Sequence, residues 1–138
     1  MGKKGVTAPV IKIENLSGYT VAGVRGSSSL KELKELKKIT YIKIVQTNSY
    51  PEAFKSLLES SFGPKGVVAT YEDVGNYIAK KNNFSNLTTI YQIEKAYFHV
   101  GFSKKADAKM VEAFNKLIEE IRRSGKLKKI LTAADMKE

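Results

Sequence analysis

The sequence predicts an α/β fold: a mainly parallel central sheet flanked by helices in three layers. Three observations carry that prediction. A β-branched run, a short polar turn and an amphipathic segment follow one another three times between Tyr19 and Lys81. Each amphipathic segment is long enough to cross back over a sheet, which is how parallel strands are joined. The chain of 138 residues, 42% of them hydrophobic and 28% charged, is long enough to bury a real core and has the balance of a globular domain.

The first repeat runs from "YTVAGV" (19–24) through Arg25, Gly26, Ser27 and Ser28 into a helix near 29–38. Ser29 and Glu32 have capping-box spacing there, and Leu30, Leu33 and Leu36 form its apolar stripe. In the second, "YIKIV" (41–45) leads through Gln46, Thr47 and Asn48 into a helix near 50–60. Ser49 and Glu52 repeat the box, Pro51 suits the first turn, and Phe54, Leu57 and Leu58 face inward. The third passes from "GVVA" (66–69) through Thr70 into a helix near 71–81, with Thr70 and Asp73 at capping distance and Val74, Tyr77 and Ile78 as the stripe. Two β-rich runs, 87–93 and 96–102, follow with only Glu94 and Lys95 between them, as in a tight hairpin. The longest helix is expected at 107–123, where Met110, Val111, Phe114, Leu117, Ile118 and Ile121 keep one face apolar. Gly125 ends it, and a shorter helix with Leu127, Ile130 and Leu131 closes the chain.

Composition narrows the chemistry. There is no cysteine, and His99 is the one histidine, so thiolate metal sites, disulfides and a Ser-His-Asp triad lack their residues. No paired carboxylates, Walker motif or GxGxxG stands out, which argues against an enzyme; Glu72 is the sole candidate for a general acid. No cofactor or metal is expected. No run approaches the ~20 apolar residues that span a bilayer, and the basic start of the chain as it stands has no apolar stretch of the kind a secretion signal needs. The net charge of +10 would attract anions. Its lysines, however, interleave with glutamates on helix faces, and the densest run, 122–129, falls at a helix end, so nucleic acid is not the expected partner.

Parallel strands place their C-terminal ends on one edge, and ligands of such sheets bind in the crevice beyond it. The turns Arg25–Ser28, 46–49 and Thr70–Glu72 should therefore share one rim, each followed by a helix N-terminus with unpaired N–H groups. Gly26 would let backbone approach closely, Ser27 and Ser28 could donate hydrogen bonds, and Arg25 could pair with an anion. Glu72 and Asp73 could meet an amine; Tyr50, Tyr71 and Tyr97 could stack on a ligand. Simple helix capping explains the same serines first, and a ligand cradle stands beside it as the second reading.

The order of these motifs resembles family 3 solute-binding proteins of ABC importers. "KKGVTAPVIKIENLSGYTVAGVRGSSSLKEL" resembles their lysine-glycine stretch "i.s.edL.GktVgv..Gss", "YPEAFKSLLESSFGPKGVVATYEDVGNYIAKK" their "y.eal.aL..G.vDavv.d....yy.kk", and "FNKLIEEIRRSGKLKKI" their closing segment. The resemblance implies a periplasmic-binding-protein-like lobe whose core is the family's second lobe, residues 15–95, with 96–138 as return strand and C-terminal helices, the first lobe being missing. It implies an amino acid or similar carboxylate as ligand, with Ser27 and Ser28 on the α-carboxylate. Thr70 stands where the family has an amine-binding Asp, unless Glu72 or Asp73 takes that role. An ABC permease as partner and a periplasmic or extracytoplasmic location follow from the same likeness. The helix at 107–123, which normally packs on the first lobe, would then fold back or bury itself in a second copy, as in a homodimer.

Overall fold

In the computed structural model, residues 1–7, 9–10, 12–93, 100–134 and 136 are described. The chain divides into two units, Met1–Glu94 and Lys95–Glu138.

The first unit holds a five-stranded sheet ordered β3-β2-β4-β1-β5: β1 (Gly2–Lys3), β2 (Thr20–Val24), β3 (Lys43–Thr47), β4 (Gly66–Val68) and β5 (Leu87–Thr88). β2 lies parallel to both β3 and β4, with Val21 opposite Ile44 and Val67. β1 runs antiparallel to β4 and β5, so it alone is reversed in a mainly parallel sheet. Successive side chains of a strand point to opposite faces, and the core divides accordingly. Val21 and Val67 join Leu16, Leu33, Leu36 and Ile42 in one apolar cluster, under α1 (Ser28–Leu36) and a short 3₁₀ turn (Ile13–Leu16). Ala22 and Val68 join Phe54 and Leu57 of α2 (Tyr50–Leu58) in the other, against which Ile78 of α3 (Glu72–Lys81) packs. The result is the expected α/β sandwich of helix, sheet and helix.

Local expectations need correcting at three places. Ser27, not Ser29, caps α1, its hydroxyl accepting from Leu30 N–H at 3.2 Å. Gly26, left-handed at φ 74°, turns the chain early enough for this. Thr70 does not cap α3: Tyr71 takes the cap position with no side-chain bond, and the Thr70 hydroxyl donates to the Tyr71 carbonyl. Nor does Tyr77 face inward; it is 62% exposed, and Lys81 Nζ lies 5.9 Å from its ring. Gly75 is the buried residue of α3 instead, because a Cβ there would fall 2.5 Å from Met1 Sδ and 2.8 Å from Thr70 Cγ2. The helix lies too close to its support for a side chain. β5 is shorter than the run 87–93 suggests because its partner β1 offers only two residues. The run 96–102 as far as His99, with the Glu94-Lys95 turn and Tyr97, lies outside the described residues.

The second unit contains α4 (Ala108–Arg123) and α5 (Lys126–Ala133), separated by Gly125 at φ 76°. Asp107 caps α4 by accepting from Lys109 N–H at 2.9 Å. Phe102 and Phe114 meet edge to face at 5.3 Å. Neither helix has a buried residue. Among the described residues, no helix is long and apolar enough to cross a membrane.

Candidate functional site

The polar turns at the C-terminal ends of β2, β3 and β4 are joined by hydrogen bonds. Ser27 closes the first turn on itself, donating from Oγ to the Val24 carbonyl at 2.6 Å. Arg25 N–H donates to the Thr47 carbonyl at 2.9 Å, tying that turn to the end of β3. From there a hydroxyl chain spreads in both directions. Ser27 Oγ and Ser29 Oγ share a bond of 3.0 Å, and Ser29 Oγ reaches Tyr50 OH, at the start of α2, at 3.3 Å. Ser28 Oγ shares a 2.9 Å bond with Tyr71 OH, just before α3. Residues 43 and 21 positions apart in sequence thus meet at the N-terminus of α1.

Of the residues singled out from the sequence, Arg25, Gly26, Ser27 and Ser28 form one turn, and Tyr71 reaches it directly. Arg25, Gly26 and Ser28 are exposed, and Ser27 is half-buried. Thr70 sits on the facing turn with its hydroxyl already given to backbone. Glu72 leans the other way: its carboxylate accepts from Thr89 Oγ1 at 2.9 Å, beside β5. Asp73 is half-buried in the first turn of α3. Ser29 and Tyr50 belong to the network although the sequence points to them less directly. The signal available was position: each tyrosine stands at the start of a helix that follows a parallel strand.

Close to this edge lies a strongly shifted titratable group. The Met1 ammonium donates to the Val68 carbonyl of β4. Burial pushes its pKa down from 8.0 to about 5, and the Glu72 carboxylate opposes the shift. An open groove of about 550 Å³ begins at Ser28 and runs along α1 past Lys31, Glu35 and Leu36 to Ile39, with Ile13 and Ile93 on its other walls. It touches the hydroxyl network at Ser28 alone. No cluster of three or more His, Cys, Asp or Glu residues that could hold a metal exists among the described residues.

What the turns present is therefore a set of hydroxyls and helix-terminal N–H groups, with Arg25 on the rim. Such a set can bind an anion or a carboxylate; it contains no nucleophile beside a general base.

No protein-family profile matches the sequence, and no curated protein matches it. Solved structures do. An ancestral arginine-binding protein bound to arginine superposes with a TM-score of 0.59 at 23% identity, over 96% of this chain and 57% of the other. An ancestral arginine-binding protein bound to glutamine gives 0.56 at 21% identity, over 93% and 55%. The likeness defines the class of fold, that of the periplasmic solute-binding proteins. The chain spans a little over half the length of each of these neighbours.

Proposed function

We propose that this chain captures a small carboxylate-bearing solute, an amino acid or a close relative, as all or part of an ABC-importer binding protein, without catalysing a reaction. The observation that carries this reading is the convergence of Ser27, Ser28 and Tyr71 at the α1 N-terminus. Ser27, Ser28 and the first-turn N–H groups receive the carboxylate, with Arg25 and Gly26 framing it. Asp73, in the first turn of α3, is the acid on the side toward the ligand's amine; Thr70 and Glu72 would have to give up their bonds to the Tyr71 carbonyl and Thr89 to join it. The structural neighbours are bound to arginine and to glutamine, which makes these two the first ligands to try. In this reading residues 15–95 are the core of one lobe, 96–138 carry the C-terminal helices, the partner is a permease, and the location is extracytoplasmic.

Arg25, Gly26 and Ser28 are exposed, so a bound solute keeps much of its surface in water and affinity is weak. Titrating arginine, glutamine and acetate into labelled protein should shift the amide signals of Ser27, Ser28 and Tyr71 saturably, and Ser28→Ala should weaken that binding severalfold. Unmoved signals at saturating concentrations of every tested amino acid would sink the reading. The rival is a lobe that folds and pairs with a second copy through α4 without binding ligand. It is favoured by the exposure of Met110 and Leu117, 52% each, and predicts a ligand-indifferent dimer by light scattering.

A further inference from the structure

The second unit has a feature that solute capture does not use. Residues 122–129 read Arg-Arg-Ser-Gly-Lys-Leu-Lys-Lys, with no acid among them. Preceding residues of α4 balance their charges, Glu112 with Lys116 at 3.3 Å and Glu119 with Arg122 at 3.6 Å. α5 itself carries Lys126, Lys128 and Lys129 and no acidic residue. At ~100° per residue, Lys126 and Lys128 fall on either side of Leu127, while Ile130 and Leu131 stay within about 60° of it. The apolar face of α5 is thus flanked by cations on both sides. That face is open: Ile130 is 59% exposed, and Leu127 and Leu131 are half-buried.

We propose that α5, with the α4 C-terminus, is an interfacial element that adsorbs to an anionic lipid bilayer, lying on it without crossing. Charge and apolarity have to be matched together by whatever covers this face. Anionic headgroups neutralise Arg123 and the lysines, while the acyl boundary takes up Ile130 and Leu127 and the lysine stems reach back to the headgroups. A second copy laid on α5 would oppose lysine with lysine. A nucleic-acid backbone would match the cations and leave Ile130 in water.

The full chain tests this by flotation with vesicles of phosphatidylcholine alone and of phosphatidylcholine mixed with phosphatidylglycerol. It should float with the mixed vesicles only, and added salt should release it. Replacing Lys126, Lys128 and Lys129 together by glutamine should lower partitioning about a hundredfold, and Ile130→Ser about tenfold. These side chains are exposed or half-exposed, so circular dichroism should be unchanged. If the triple variant lost helix, salt release of the unaltered chain and the Ile130→Ser result would decide. Equal flotation with neutral vesicles, no flotation with anionic ones, or a chain that dimerises in light scattering while staying off both vesicles would overturn the proposal.

Discussion

Helices α2 and α4 are both amphipathic, yet Ala53, Phe54 and Leu57 of α2 are buried and no residue of α4 is. α4 is the longer, with a continuous stripe from Met110 to Ile121. The difference is the partner. α2 lies on β2 and β4, where Ala22 and Val68 meet Phe54 in one cluster, whereas Met110 and Leu117 remain half in water. An amphipathic pattern specifies a helix and the side that seeks cover, but burial belongs to the pair of surfaces.

The largest expected effect tests that contrast directly. Phe54 is 0% exposed, so Phe54→Ala should cost about 3–5 kcal/mol in transfer and cavity terms and leave the first unit marginal or unfolded. Leu117→Ala should cost less than about 1 kcal/mol, because little is uncovered by the change. Urea unfolding of both variants gives the comparison. An equal loss for the two would mean that the α4 stripe is covered in solution and the contrast fails.

Next in size is a pH effect confined to the first unit. With Met1 as first residue, its amine has a pKa of about 5 in the fold against 8.0 otherwise. Between those values the unfolded chain binds a proton that the folded one does not, so stability rises with pH from 5 to 8 and levels off above. The fall from 8.0 to about 5 corresponds to roughly 4 kcal/mol at most. Acetylating the amine should flatten this rise in thermal melts. An unchanged slope after acetylation would assign the pH dependence to other groups.

Glycine at two helices sharpens the same comparison at smaller scale. Gly75→Ala would ordinarily help a helix by ~1 kcal/mol. Here the new methyl meets Thr70 Cγ2 and Met1 Sδ below 3 Å, so a net loss of about 1–3 kcal/mol is expected. Gly125→Ala meets nothing within 4 Å and costs about 1 kcal/mol through its positive φ alone. A stabilised Gly75→Ala variant would show that α3 can withdraw from Met1 and Thr70 at no cost.

Much of this was legible in the sequence. Three strand-turn-helix repeats gave the mainly parallel sheet, and capping and periodicity placed α2 and α4 within about two residues. The misses have local causes. β1 has two residues and no alternation to read. The α1 cap moved from Ser29 to Ser27 because three serines in a row offer equivalent hydroxyls, and the choice rests with the Gly26 turn. In α3, a stripe drawn through Tyr77 ignored that a glycine can be the inward residue when helix and support are in close contact. The rim was foreseen as a place where turns converge. Its cross-links were not, since a bond from Ser28 to Tyr71 depends on strand spacing that no single segment encodes.

The smallest effect separates capping from that convergence. Ser27→Ala removes the acceptor of Leu30 N–H, and Asp107→Ala removes that of Lys109 N–H; each should cost about 1 kcal/mol, one in either unit, because a cap acts locally. Ser28 is exposed and caps nothing. Its bond to Tyr71 links two turns at the surface, so Ser28→Ala and Tyr71→Phe should each cost under ~0.5 kcal/mol, with a comparably small coupling in a double-mutant cycle. If instead the coupling equals the cost of a cap, the Ser28–Tyr71 bond is a structural tie that a ligand would have to break. If it is near zero, the two hydroxyls can exchange one another for a carboxylate at little cost, which is the condition that solute capture at this rim requires.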